Sequence, residues 1–491
     1  YLRSIVLGSG LALVHENCGV VGIYSLDGKN VVPLAIDCLR ALQHRGQESW
    51  GIAVPGKIPF RRLGLVSGSA EHFHKLVGKY SSKAVIGHVR YSTFGKSTIQ
   101  NAQPLKVKDL CVAHNGTIAN VEELAGMVGG CSFTPQTMSD TLIAAQRLVS
   151  LMEVDRDLTR GLAVLKDEMV GSFCFTFLTD DGSVYAARDV RGFRPLVLGY
   201  HKEFNAFLIA SESCAFSVIG AELLRDVEPG ELLKFSERGL EATQFCKEKP
   251  HSHCAFEYTY FAHPSSMMEG VSVYEARKRI GRLLAEKFPI PEADVVIPVP
   301  DSARPAALGY AQKLGLPFEE GLLKDRYSKR GSMRSFIEPY QASRLAISGS
   351  ITPIRNIIEG KSVVIIDDSI VRGTSSASII ETIRSAGATK ISMLITYPPI
   401  RYPCYAGIDF PSQEELLAYR EAMNDKSEAK IASKISQSIG ADYVGYNDTS
   451  NLAKAIGLPE TELCFTCSTG DYSSLGIKPI FKSREEMKGD N

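Results

Sequence analysis

What this sequence has little of narrows it quickly. Of 491 residues, 55 are Lys or Arg and 55 are Asp or Glu, so the chain carries no formal net charge. It has no overall field to draw it onto phosphate backbones or anionic lipid, and no nucleic-acid partner is expected. Long apolar runs are missing as well. The longest near the amino terminus, Ile5 to Val14, is ten residues and includes Gly8 and Gly10, well short of the roughly 20 that cross a bilayer as a helix. No membrane partner is expected. Nor does that stretch read as a secretory signal, because His15, Glu16 and Asn17 stand where small cleavage-site residues belong. The absence of internal repeats and low-complexity tracts excludes a solenoid. Eleven cysteines form an odd set without the dense spacing of a disulfide scaffold, which points to a reducing, cytoplasmic setting with thiols available for chemistry or metal.

What is there is apolar material for several cores: 44% of the residues are hydrophobic, and at about 150 residues per domain the length implies two to four domains. From Cys18 to about residue 245, short apolar or alternating runs separated by glycine-rich turns predict layered strands, among them Val20 to Tyr24, Val112 to His114, Ser172 to Leu178, Val184 to Arg188 and Phe207 to Ser211. Pro33 to Leu42 and Ser139 to Leu151 are amphipathic and predict helices covering them. This half is α+β. The second half changes rhythm, with unbroken apolar runs at Asp294 to Val299, Ser362 to Ile366 and Ile391 to Thr396, each beside a helical pattern. Such runs predict a doubly wound parallel sheet covered on both faces, with ligands at the carboxyl ends of its strands. The polar break Lys247-Glu248-Lys249-Pro250 suggests a boundary between domains 18–250 and 251–491, with 1–17 ahead of them.

Val363-Val364-Ile365-Ile366-Asp367-Asp368, followed by Ser369-Ile370-Val371-Arg372-Gly373-Thr374-Ser375-Ser376, reads as strand, loop and then a helix from about Ala377 to Ser385. Glycine admits a ligand close to the backbone, amides at a helix start face a phosphate, and adjacent acids take ribose hydroxyls or a hard cation. The Gly-Lys-Ser of a Walker loop is missing. The whole string resembles the phosphoribosylpyrophosphate signature of type I phosphoribosyltransferases. Val299-Pro300-Asp301-Ser302-Ala303-Arg304 resembles their pyrophosphate loop. The resemblance implies magnesium, one per subunit, on Asp367, Asp368 and Ser302. The basic segment Lys324, Arg326, Lys329, Arg330, Arg334 and Arg344 would close over pyrophosphate and exclude water, with Lys324 among the substrate contacts.

In the first half, Cys18-Gly19-Val20-Val21-Gly22-Ile23 is followed by His44-Arg45-Gly46-Gln47-Glu48, by Gly87-His88-Val89-Arg90-Tyr91-Ser92-Thr93, by His114-Asn115-Gly116 and by Ser139-Asp140. In order and spacing these resemble the glutaminase domain of amidotransferases that use an amino-terminal cysteine, an αββα fold. Glutamine brings a carboxylate, an ammonium and a neutral amide, so its site needs a cation, an anion and a nucleophile with oxyanion donors. The resemblance assigns these to Arg90, Asp140 and Cys18, with Asn115 and Gly116 as the donors. The general base is the α-amine of Cys18. Because an amine inside a peptide bond cannot act so, the resemblance implies cleavage between Asn17 and Cys18.

Cys464-Phe465-Thr466-Cys467 with Cys254 and Cys404 supplies four thiolates, enough by residue type for zinc or an iron-sulfur cluster. Their surroundings resemble the 4Fe-4S ligands of the iron-sulfur branch of the glutamine phosphoribosylpyrophosphate amidotransferases, implying one structural cluster per subunit. The remaining cysteines, Cys38, Cys111, Cys131, Cys174, Cys214 and Cys246, read as small core residues.

Together these stretches cover Cys18 to about Tyr472 and resemble that family throughout. The implied reaction hydrolyses glutamine at Cys18 and transfers the ammonia to C1 of phosphoribosylpyrophosphate, giving 5-phosphoribosylamine, glutamate and pyrophosphate, the first step of purine synthesis. The family also implies a homotetramer inhibited by purine nucleotides. Two stretches depart from it: the Arg326-to-Ile337 loop is about four residues longer than expected, and His263 stands where Arg is expected. The competing readings are a non-catalytic phosphoribosyl-fold regulator, which needs a basic recognition helix, and a cysteine glutaminase fused to a different synthase, which needs other domains in place of the Asp367-Asp368 loop.

Overall fold

The computed structural model describes residues 3–6, 16–92, 98–128, 139–153, 157–247, 250–324, 351–408, 410, 412–422 and 427–480. They form two compact units. The first takes the chain to His253 together with Tyr405–Ile408 and the stretch from Asp471, and the second takes Cys254–Cys404 and Asp409–Gly470.

In the first unit the strands are β1 (Glu16–Ser25), β2 (Ser49–Ala53), β3 (Phe60–Leu63), β4 (Ala84–Ser92), β5 (Leu105–Val107), β6 (Leu110–Ile118), β7 (Gly171–Thr179), β8 (Val184–Arg188), β9 (Val197–His201), β10 (Ala206–Ala210), β11 (Glu222–Asp226), β12 (Glu231–Ser236) and β13 (Gly239–Gln244). They make a seven-stranded sheet, β11-β9-β10-β1-β4-β2-β3, and a six-stranded sheet, β13-β12-β8-β7-β6-β5. Alternation along each strand divides the side chains between cores. From β1, Val21 and Ile23 pack outward against helices α1 (Val32–Ala41) and α4 (Cys214–Ile219), while Val20 and Tyr24 face the second sheet. From β7, Phe173, Phe175 and Phe177 pack outward against α2 (Asp140–Leu151) and α3 (Leu158–Glu168), while Cys174 and Leu178 face the first sheet. The result is the expected αββα order. Both faces of the central strands are buried, which explains why runs such as Val20 to Tyr24 are nearly continuous in apolar residues. Helix starts follow local chemistry: Pro33 sits in the first turn of α1, and the Ser139 hydroxyl caps α2 through the Leu142 amide at 3.3 Å.

Two stretches distant in sequence complete this unit. The Ser172 hydroxyl donates to the Ala406 carbonyl at 3.0 Å, and a Cβ at Gly407 would lie 3.5 Å from the Gly116 carbonyl carbon. Near the other end of the chain, strand Ile477–Ile480 pairs in parallel with strand Arg3–Val6.

The second unit is a parallel sheet, β14 (Val295–Pro298), β17 (Ser362–Asp367), β18 (Lys390–Ile395) and β19 (Tyr443–Tyr446), in that spatial order. A short antiparallel pair, β15 (Leu322–Lys324) with β16 (Ile351–Pro353), stands apart from it. Val363 and Ile365 pack toward helices α7 (Thr374–Ser385) and α8 (Glu428–Ile439), whereas Val364 and Ile366 pack toward α5 (Val273–Lys287) and α6 (Arg304–Leu314). This is the doubly wound arrangement that the apolar runs predict.

Helices α5 and α6 cross at two glycines. A Cβ on Gly281 would stand 1.8 Å from the Ala306 carbonyl oxygen, and one on Gly309 would stand 2.1 Å from the Lys278 carbonyl oxygen. Gly281→Ala is therefore expected to force the helices apart and lower the thermal unfolding midpoint, with overpacking of this kind costing about 1–3 kcal/mol. Gly78→Ala, in helix Ala70–Tyr80 with no atom near its would-be Cβ, is expected to be neutral or stabilising. Circular dichroism melts of the two variants check both directions.

Candidate active site

In the first unit, antiparallel pairing sets Cys18 on β1 opposite Arg90 on β4, and both residues are buried. The 44–48 loop closes on this pair at Gly46, where a Cβ would meet the Val89 carbonyl carbon at 2.5 Å and the Arg90 nitrogen at 2.6 Å, so only glycine fits. Its neighbour Arg45 donates from Nε to the Cys18 carbonyl at 2.9 Å. The Arg45 guanidinium also pairs with the buried Glu212 carboxylate, whose Oε1 lies 2.8 Å from His44 Nε2 as well. Asn115 and Gly116 lie on β6 of the second sheet. A Cβ on Gly116 would stand 2.1 Å from the Ser172 carbonyl oxygen, so glycine is required there too.

Asp140 opens α2 fully buried. Its carboxylate accepts from the Ile118 amide at 3.2 Å and the Thr141 amide at 2.6 Å, which ties it to the end of β6 three residues beyond Asn115. A carboxylate held out of water by neutral donors suits a cationic ligand group. Around it runs a network of uncharged groups. His114 Nδ1 meets Thr141 Oγ1 at 3.1 Å and Asp140 Oδ2 at 4.0 Å, the His114 amide donates to Gln103 Oε1 at 2.7 Å, and His88 Nε2 reaches the His114 carbonyl at 3.0 Å. Burial holds both imidazoles below their ordinary pKa, His88 down to about 3.

Sequence reasoning gave no roles to His88, His114, Arg45, Ser211 or Glu212. The first three lie inside the motif stretches and could have been examined there. Ser211 and Glu212 follow an unremarkable apolar strand, and only the fold brings them to Cys18 and Asn115.

In the second unit, Asp367 ends β17 and Asp368 follows it. Asp368 accepts from the Ser302 hydroxyl at 2.5 Å and from the Ser369 hydroxyl at 2.7 Å, so the two strand exits meet as the sequence predicts. Burial, and then the adjacent Asp368 charge, hold the Asp367 carboxyl well above the usual range. Helix α7 begins at Thr374 rather than near Ala377, so Thr374, Ser375 and Ser376 lie in its first turn. Gly373 precedes it at φ +82° with no side chain to cap the turn, leaving amides of the kind that bind phosphate. The loop Ser369, Ile370, Val371 and Arg372 is anchored by the Leu417 amide on the Val371 carbonyl at 2.8 Å and by Arg372 against Glu415 at 2.6 Å. Lys324 ends β15 half-buried, while the rest of the basic segment lies outside the described residues. His263 is exposed, with Nδ1 at 2.8 Å from the Ser265 hydroxyl.

Cys254, Cys404, Cys464 and Cys467 also come together in the second unit. The Cys467 thiol is pushed well up by burial and then by the three other cysteines, and Tyr397 Oη lies 3.3 Å from its sulfur. The Arg401 and Tyr402 amides donate to the Cys467 carbonyl at 2.9 and 3.0 Å, joining the Cys404 segment to the Cys-x-x-Cys turn. Among the described residues, His44, Glu212 and Cys214 form a further group whose ligand atoms all lie within 4.8 Å of one another. Of the remaining cysteines, Cys38, Cys111, Cys174 and Cys214 are buried and Cys246 is half-buried, while Cys131 lies outside the described residues.

Fold and sites define a glutamine amidotransferase joined to a phosphoribosyltransferase. Two family models match accordingly, a glutamine amidotransferase domain over residues 88–218 and a phosphoribosyl transferase domain over 273–402. The amidophosphoribosyltransferase of Archaeoglobus fulgidus is 41% identical over 466 residues, covering 93% of this chain and 97% of that protein. That of Mycobacterium tuberculosis is 38% identical, covering 97% and 89%. The solved glutamine phosphoribosylpyrophosphate amidotransferase of B. subtilis, complexed with ADP and GMP, is 37% identical with a TM-score of 0.79, covering 93% of this chain and 97% of that one. The chain belongs to the amidophosphoribosyltransferases, transferases of purine biosynthesis. The regulator and the alternative synthase fusion fall with that assignment.

The lowered imidazoles carry a pH dependence. In the unfolded chain both histidines titrate near 6.5, so below that pH the unfolded state binds protons that the folded state refuses. Stability therefore falls as pH drops from about 6.5 toward the folded value of about 3 for His88. Trp50, the one tryptophan of the sequence, is buried in the first unit and reports on its unfolding. His88→Gln is expected to flatten the acid limb, by up to about 1.4 kcal/mol per pH unit between roughly pH 6 and 4, in urea titrations followed by Trp50 fluorescence.

Proposed function

We propose that the amide nitrogen of glutamine is released at Cys18 and transferred to C1 of phosphoribosylpyrophosphate held on the Asp367 to Ser376 loop. The observation that carries this reading is the Cys18–Arg90 register, with the Asn115, Gly116 and Asp140 elements fastened to the same unit. Cleavage between Asn17 and Cys18 frees an α-amine, whose ordinary pKa of about 7.7–8.0 lets it take and return a proton near neutrality. Arg90 binds the glutamine carboxylate and Asp140 its ammonium. Cys18 Sγ attacks the amide carbon and its proton passes to the amine. The oxyanion is held by Asn115 Nδ2 and the Gly116 amide. The amine then protonates the departing nitrogen, ammonia leaves, and water hydrolyses the thioester to glutamate.

At the second site, the ribose phosphate sits on the first turn of α7, donors Thr374 to Ser376, with Gly373 giving room. Asp367 and Asp368 take the ribose hydroxyls, and Lys324 contributes to the pyrophosphate side. Ammonia displaces pyrophosphate and 5-phosphoribosylamine forms. Asp367, Asp368 and Ser302 form a set of hard oxygen donors that fits magnesium, which would neutralise the leaving pyrophosphate.

The four cysteines gathered in the second unit fit a 4Fe-4S cluster. Four thiolates are one for each iron of such a cluster, and the family resemblance favours it over zinc, which the same residue types also hold. Its role is structural, since neither half-reaction moves an electron. The nucleotides on the B. subtilis relative support inhibition by purine nucleotides, and the family supports a homotetramer. The odd, sparsely spaced set of eleven cysteines supports a cytoplasmic setting.

Cys18→Ala is expected to abolish glutamine-dependent release of pyrophosphate while ammonia-dependent release persists, and amino-terminal sequencing of active protein is expected to begin at Cys18. Retained glutamine-dependent turnover in the variant overturns the reading. Anaerobically purified protein is expected to absorb in the visible and to contain iron and sulfide; colourless protein containing zinc overturns the cluster assignment.

A further inference from the structure

The end of β10 holds a dipeptide that reaches both parts of the proposed glutaminase site. Ser211 is fully buried. Its hydroxyl oxygen accepts from the Val20 amide at 2.9 Å and from Asn115 Nδ2 at 3.4 Å, and its own amide donates to the Val20 carbonyl at 3.0 Å. Ser211 therefore continues the β10 to β1 pairing beyond Ala210 while its side chain crosses to β6 in the other sheet. Next to it, Glu212 holds the guanidinium of Arg45, which donates to the Cys18 carbonyl. The group formed by His44, Glu212 and Cys214 is spoken for by that guanidinium, which shares Glu212 Oε1 with His44, so it makes a poor cation site.

Asn115 has the stronger need. A carboxamide presents a donor at one end and an acceptor at the other, and a half-turn about its last torsion exchanges them. An oxyanion is stabilised by the donor and repelled by the acceptor. Among the described residues, Asn115 Oδ1 is buried with no hydrogen-bond partner, and the Ser211 contact is the one hydrogen bond of this side chain. Nothing else distinguishes the two ends. The two lone pairs of a hydroxyl match the two donors present, the Val20 amide and Nδ2. One Nδ2 hydrogen is thus committed to Ser211 and the other is left for the developing oxyanion.

We propose that Ser211 is a positioning residue for glutamine hydrolysis, its hydroxyl orienting the Asn115 carboxamide and fastening that donor to the strand that carries Cys18. This rests on the reading of Cys18 and Asn115 given above. Because the Ser211 hydroxyl bonds to the Val20 amide and Asn115 rather than to Arg90 or Asp140, its loss acts on the transition state and leaves glutamine binding intact.

The test uses the full-length, processed enzyme with four substitutions. Removing an oxyanion donor outright costs about 100-fold to 1,000-fold in kcat, so misorienting one in Ser211→Ala and Ser211→Val is expected to lower glutamine-dependent kcat by roughly 10-fold or more. KM for glutamine is expected to stay within about twofold, and ammonia-dependent turnover to be unchanged. Ser211→Thr, which matches Val in shape and keeps the hydroxyl, is expected to restore most of kcat. Equal kcat in the Thr and Val variants overturns the proposal, as does a parallel fall in ammonia-dependent turnover, and this pair remains informative if the Ala variant folds poorly. Cys18→Ala separates the two levels of argument. If it abolishes glutamine-dependent turnover while Thr and Val behave alike, the positioning role alone fails; if it does not, the underlying reading fails.

Discussion

The pairing of β1 with β4 is the constraint on which the first unit depends. A slip of one residue in a strand exchanges its two faces, and β1 is buried on both, against α1 on one side and the second sheet on the other. Such a slip would turn Val21 and Ile23 away from α1 and carry Cys18 off Arg90. Glycines tighten the fit. A Cβ on Gly19 would stand 2.9 Å from a Val89 methyl, and one on Gly87 would stand 2.9 Å from a Leu39 methyl. Packing thus fixes the register, and the register sets the chemistry.

Both units place buried charge at the ends of strands, where desolvation is expensive unless partners are supplied. They supply them differently. Glu212 is matched to Arg45 inside the protein, so that pair is complete as it stands. Asp140 is held by backbone amides and a hydroxyl, all neutral donors, and burial beside Asp368 favours the neutral form of Asp367. The Glu212–Arg45 pair fastens two parts of the first unit, whereas the other three carboxylates meet neutral donors or one another.

The fold was legible because the central strands are covered on both faces, which writes continuous apolar runs into the chain, and because the change from alternating runs to Val/Ile/Leu runs marks the change of unit. The motif residues were legible for a similar reason: Cys18, Arg90, Asn115 and Asp140 belong to contiguous strings, each folded as one turn or strand. The start of α7 was misjudged by three residues because Thr374, Ser375 and Ser376 read as loop by composition, whereas Gly373 in the left-handed region begins the helix immediately. Ser211 and Glu212 carry no local signal, since their partners lie more than 90 residues away in sequence. Proximity of that kind is a property of the fold.

The small excursion at Tyr405–Ile408 bears on how this chain can be divided. The four residues follow Cys404 directly, yet Ala406 and Gly407 pack behind Gly116 in the first unit. A gene cut near residue 250 would yield an amino-terminal fragment lacking the residues that pack behind Gly116, and a carboxy-terminal fragment bearing them. Splitting the chain for engineering would therefore require those four residues to be supplied anew to the first unit.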